Sequence, residues 1–294
     1  MCRYYSLPFA IIALCLCLLV AMSACNPSDI PDDSAQLIFR FAFDSTQIRL
    51  NNLGQPATVP PGHGAQSPHF NGISAHYVEL SPTAFTALGS GEVLYRHAET
   101  TAGGDPAIDF AQSTIVAEGE TFLSVPIADI VPGTYPYLRV SLAYQNYDIK
   151  VRGMGISTIG TLASFIGFNT YIQSYTVKTQ SLSVNANRLQ GYWAFETPFS
   201  LNSGQAPAGA TTVPNPLFAN SPIPAGSCVV TGTFDAAPLT ITGNETEDII
   251  ITVSLSTNHS FEWNDANNTP NTFDPLDGDV PTDMGIRGLI GKIQ

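Results

Sequence analysis

Three of the five histidines in this chain, His63, His69 and His76, fall within fourteen residues. Two flank a loop rich in proline and glycine, and the third begins the next strand, so the three imidazoles could converge on one ion. Neutral imidazole nitrogens suit zinc or copper, with water or Glu79 in a fourth position. A second set lies further along. Asp265 and Asn267 open an oxygen-rich run with ligands at alternate positions, and Asp274, Asp277 and Asp279 follow around Gly278, a composition that suits calcium. Thr269 and Pro270 stand where an EF-hand-like loop needs another carboxylate and a glycine. That loop type is excluded, which leaves an irregular structural calcium site or an acidic turn between hairpin strands.

Carboxylates that could work as a catalytic pair are present but not singled out. Glu92, Glu99, Asp105 and Asp109 fall around the Gly103-Gly104 turn, and a glycosidase would need two such groups about 5 to 10 Å apart. The chain has no Gly-x-Ser-x-Gly elbow, no His-Glu-x-x-His and no Gly-x-x-x-x-Gly-Lys, which removes the easily read hydrolase, zinc-protease and nucleotide-binding classes. Tyr135, Tyr137, Tyr144, Tyr147, Tyr171, Tyr175, Tyr192 and Trp193 crowd the middle of the chain. Exposed, such rings would stack on sugars; buried, they would fill a core with their hydroxyls at its rim.

Cys25 closes the run Met22-Ser23-Ala24-Cys25 behind an apolar stretch from Ala10 to Ala21, the layout of a bacterial lipoprotein signal peptide. The stretch is shorter than the 20 or so residues a membrane-spanning helix needs. Residues 1–24 are therefore expected to be removed and the chain held to a membrane by lipid on Cys25, with 25–35 an acidic tether. An ordinary secretory signal cleaved near Ala24 is the alternative; either places the rest of the chain outside the cytoplasm, and the lipid anchor makes the cell envelope, at its outer membrane, the expected site. Loss of Arg3 with the signal takes the net charge from −13 to −14, a surface that repels nucleic acid and anionic headgroups. Cys2, Cys15 and Cys17 leave with the signal, so Cys228 has no internal disulfide partner, and at the start of an apolar run it reads as a small buried hydrophobe.

Positioning these groups falls to strands. Charged residues are 12% of the chain while glycine and proline number 24 and 22, which favours short strands joined by turns. Leu37, Phe39, Phe41 and Phe43 alternate with Ile38, Arg40, Ala42 and Asp44, as a half-buried strand requires. Similar segments follow at 73–80, 92–97, 121–127, 137–151, 171–177, 190–196, 228–234 and 248–256, the last reading as a central strand buried on both faces. The best helical candidates are short, near 81–88 and 156–166. Two long loops, 54–72 and 198–226, are dense in glycine and proline. The expected fold is all-β, a large antiparallel β-sandwich over 36–294 with long Pro/Gly-rich loops and a possible sub-boundary within 198–226.

The Phe39-x-Phe-x-Phe43 strand, the Pro-Gly-Thr-Tyr turn at 132–135 and the lipoprotein leader resemble the methanobactin-associated periplasmic protein family. That resemblance implies an extracytoplasmic β-sandwich linked to copper handling. Some members pair a modified tryptophan with a nearby histidine; here neither Trp193 nor Trp263 has a histidine two residues on, and His259 stands four before Trp263. The sequence thus points to a membrane-anchored, non-enzymatic binding or structural module with a glycan or protein ligand. A copper or zinc protein using the histidine group is the alternative, and an envelope hydrolase comes third.

Overall fold

The computed structural model describes residues 34–49, 56–206, 228–286 and 288–294. Cys25 and the tether up to residue 33 lie outside the described residues. Ala35–Gln294 forms one compact unit, all-β, with several antiparallel sheets packed together as in a β-sandwich.

Two sheets face each other across the main core. The first is four-stranded, in the order β20 (Leu289–Ile293), β17 (Ile249–Ser256), β1 (Gln36–Asp44) and β7 (Thr121–Pro126), with β1 and β17 parallel. The second is seven-stranded: β14 (Ser200–Gln205), β13 (Tyr192–Thr197), β10 (Ile156–Phe165), β9 (Tyr137–Gly153), β3 (His69–Ser81) and β4 (Glu92–Arg96) in order, with β15 (Cys228–Thr233) also on β9. The seventeen-residue β9 organises this sheet. One edge pairs with β3; the other is shared, β15 taking Tyr137 to Leu142 and β10 taking Tyr144 to Gly153.

Strand alternation on β9 and β3 changes phase, and β-bulges are the cause. Along β9 the main core receives Leu138, Val140 and Leu142, then Tyr147, Ile149 and Val151. The parity switches at Ala143, which is skipped in the pairing of Leu142 with Ala75 and Tyr144 with Ser74. An extra residue in one strand turns every later side chain to the other face. On β3 the core residues run Phe70, then Ile73 and Ala75, then Val78 and Leu80, with extra residues at Asn71 and His76.

The opposite face of the seven-stranded sheet carries a second core. Tyr144, Phe165, Tyr175 and Tyr192 pack there with Ile172, against the small sheet of β12 (Ser181–Leu189), β11 (Asn169–Thr176), β6 (Ala107–Asp109) and β5 (Glu99–Thr100). β8 (Gly133–Tyr135) pairs with β16 (Leu239–Ile241), and β18 (Phe261–Asn264) is the middle strand between β2 (His63–Gln66) and β19 (Val280–Asp283).

Two local expectations are corrected. The helical candidate at 156–166 is β10, paired on both edges with β9 and β13, and 81–88 is a series of turns. Within β10, the β-branched Ile156, Thr158, Ile159 and Thr161 suit a pleated surface and Gly160 weakens a helix. Parts of the two long loops are also ordered: β2 and the start of β3 lie within 54–72, and β14 opens 198–226, while 207–227 lies outside the described residues. No helix among the described residues is long and apolar enough to cross a membrane.

Candidate functional site

The fold holds the three histidines apart, one on β2 and two at different points along β3. His63, at the start of β2, places Nδ1 2.5 Å from Oε1 of Glu262, whose other oxygen accepts from Arg49. His69 is exposed at the first position of β3. His76 lies seven residues further along the same strand, roughly 20 Å at strand rise, and is buried with Nε2 3.1 Å from Oε1 of Glu99. Its bulge position turns the ring against Phe168. Burial, more than Glu99 can offset, holds the His76 imidazole below its ordinary pKa. The expectation that the three converge is corrected: among the described residues, no group of three or more His, Cys, Asp or Glu side chains is placed to hold a metal.

The acidic segment converges, but around a guanidinium. Arg152, near the end of β9, donates from Nε to Oδ1 of Asp274 at 3.0 Å and from Nη2 to Oδ2 at 2.7 Å. Asn267 and Thr269 donate to the same Oδ2 at 2.9 and 2.8 Å. Burial works to raise the Asp274 carboxyl, yet these hydrogen bonds and the Arg152 charge hold it below the usual range. Asp279 accepts from the backbone N–H groups of Ala266 and Asp274, and Asp265 from that of Thr269. Asp277 lies in a short 3-10 turn, Pro275–Asp277, and is exposed. A fixed side-chain cation stands among these oxygens, the segment has the form of a closed acidic turn, and among the described residues no three of its acids are placed together to hold a metal.

Of the two readings of the mid-chain aromatics, most of the rings follow the core one, while Tyr137, Tyr171 and Trp193 are half-buried. Tyr135, Tyr144, Tyr147, Tyr175 and Tyr192 are buried, and burial pushes the Tyr144 hydroxyl up to about 12. The acids near Gly103-Gly104 serve local structure: Glu99 binds His76 and Arg96, and Asp109 accepts from Ala111 N–H and Gln112. Cys228 is buried opposite Leu142. Trp263 is fully buried between Phe261 and Phe273, while His259 is exposed with a left-handed backbone.

The feature that the sequence reading missed is an apolar cleft of about 670 Å³. It lies on the core-bearing face of the seven-stranded sheet. Val151 of β9, Leu162 of β10, and Trp193 and Phe195 of β13 contribute from the sheet, with Phe261 beside them; the segment Phe273, Pro275, Leu276 and Val280–Met284 bounds the other side. Two glycines let the aromatic rings lie along the strands. Trp193 pairs across from Gly204 and Phe195 lies over Gly160, and a Cβ at either glycine would overlap the ring. Large apolar side chains stand exposed where the lining reaches solvent: Met154 (85%) and Ile156 (53%) at the β9–β10 turn, Phe199 (75%) at the β13–β14 turn, Leu276 (68%) and Val280 (56%) opposite. Exposed apolar residues scattered singly need no explanation, but a set that lines one apolar cleft makes that cleft the candidate site.

No protein-family model, curated protein or solved structure matches this chain. A sequence signal for it existed in retrospect: Met154-Gly155 and Pro198-Phe199 place large apolar residues in turns, where solvation favours polar ones.

Proposed function

We propose that this protein is a non-enzymatic binding module of the bacterial cell envelope, tethered through lipid on Cys25, and that its ligand is an apolar molecule or the apolar part of an amphiphile. The cleft carries this reading. Its volume lies within the range of small-molecule sites, its lining is predominantly aliphatic and aromatic, and the side chains at its mouth remain apolar where they meet water. A glycan ligand loses support because most of the tyrosines that would stack on it are buried, Tyr144, Tyr175 and Tyr192 in the second core and Tyr135 and Tyr147 in the main one.

The test is binding of the neutral fluorophore N-phenyl-1-naphthylamine to protein spanning residues 26–294, which contains the whole compact unit. Saturable binding near one probe per chain, abolished by Leu162→Glu and weakened by Phe195→Ala in folded variants, supports the proposal. Absence of saturable binding, or binding indifferent to both changes, overturns it.

A further inference from the structure

The cleft is apolar but not free of charge, and its charged groups are committed in a way that bears on what it admits. Arg152 is the one basic residue in its lining. Both of the nitrogens it turns toward Asp274 are engaged, Nε at 3.0 Å and Nη2 at 2.7 Å, and Asp274 is fully buried. A guanidinium paired in this bidentate way has little left for a second anion, and moving it to a ligand would strand a buried carboxylate. The other charged lining residues, Asp279 and Asp283, are acids. Asp279 is fixed by the N–H groups of Ala266 and Asp274, and Asp283 accepts from Gly285 N–H.

An anion entering this cleft would give up its hydration, meet carboxylates and find its one guanidinium already neutralised by a buried carboxylate, with only Nη1 turned away from that pair. A neutral polar end has no such opposition, and a cationic one meets oxygens of favourable sign. Resting on the apolar-ligand reading above, we infer that the cleft selects amphiphiles with a neutral or cationic polar end and rejects anionic ones, carboxylates, sulfates and phosphates alike. The ligand class is thus a long-chain alcohol, amine, quaternary ammonium or other non-anionic amphiphile, not a free fatty acid.

Displacement of bound N-phenyl-1-naphthylamine tests this with three ligands of one chain length, 1-decanol, decyltrimethylammonium and decyl sulfate, each below its micelle concentration at pH 8. The two ionic ligands both pay for dehydrating a permanent charge, so their ratio isolates its sign. Decyltrimethylammonium is expected to displace the probe at a concentration at least about ten-fold lower than decyl sulfate, with 1-decanol also ahead of the sulfate. Asp274→Asn, which releases Arg152, should narrow the cation-to-anion ratio several-fold, a ratio in which any general loosening of the cleft wall affects both ionic ligands alike. Parity or preference for decyl sulfate in the wild-type protein overturns the inference while leaving the apolar-ligand reading intact, and so decides the matter even where Asp274→Asn does not fold. Failure of the probe itself to bind would remove both.

Discussion

Arg152 and Asp274 are joined by two parallel hydrogen bonds, at 3.0 and 2.7 Å, that fasten the segment bounding the cleft to the end of β9. Arg152 N–H also donates to the Phe273 carbonyl at 2.9 Å, so backbone and side chain act at the same place. Asp274 is fully buried and the Arg152 side chain 35% exposed, which moderates the strength of the pair without removing it.

Arg152→Ala should therefore cost about 2 kcal/mol, since the buried carboxylate keeps Asn267 and Thr269 but loses its counter-charge. Urea denaturation measures the loss. Millimolar calcium should leave the wild-type melting temperature unchanged, because the guanidinium already neutralises the carboxylate; a saturable rise would restore the calcium reading.

Gly204→Ala should push the indole of Trp193, and Gly160→Ala the ring of Phe195, toward the cleft. Each is expected to cost about 1 kcal/mol in stability and to weaken N-phenyl-1-naphthylamine binding several-fold. Probe affinity unchanged in both variants would mean that neither ring borders the bound molecule.

Intrinsic fluorescence offers an independent view of occupancy, because Trp193 lines the cleft and Trp263 is sealed in the core. Ligand should alter the emission of wild-type protein and of Trp263→Phe, but not of Trp193→Phe. A ligand-dependent signal surviving in Trp193→Phe would place the bound molecule elsewhere.

The buried His76 imidazole carries a pH dependence whose sign follows from its lowered pKa. Burial disfavours its charged form, Glu99 opposes that effect, and Arg96 and His97 reinforce it; Phe168 packs against the ring. In the unfolded chain it protonates near 6.5, so as pH falls through that value the unfolded state gains a proton the folded state does not yet accept. Its contribution to stability is complete above that value and declines as pH drops toward the folded pKa. His76→Asn should flatten the slope of denaturation midpoint against pH between 7 and 5. An unaltered slope would assign the dependence to other groups.

Deleting Ala143 should be far more damaging than Ala143→Gly, for which about 1 kcal/mol is expected. The deletion removes the extra residue that lets Leu142 and Tyr147 face the same core. A soluble, cooperatively melting deletion variant would show that β9 tolerates the slip.

Much of the framework was legible because alternation is a local signal. Leu37, Phe39 and Phe41 are buried as their spacing demands, and β17 is an interior strand, with its buried residues concentrated from Ile251 onward. β10 misled because Gly160, Leu162 and Ala163 interrupt the alternation with small and apolar residues, and its second half is buried on both faces. The cleft escaped because its walls come from β9, β10, β13 and the 273–284 segment, brought together by pairings that no single window contains. The histidines and acids were conspicuous by type, but their partners, Glu262, Glu99 and Arg152, stand far off in sequence or on another strand.

The parallel pairing of β1 with β17, Leu37 against Ile249 through Asp44 against Ser256, also sets the order in which the molecule can assemble. One side of β1 finds β7 relatively early, whereas the other must wait until the chain is complete through residue 256. During synthesis that side stays an open edge flanked by Phe39 and Phe41, able to recruit a foreign strand. Closure of so distant a pair is slow, and the yield of native protein should depend on how well the cell shields that edge in the interval.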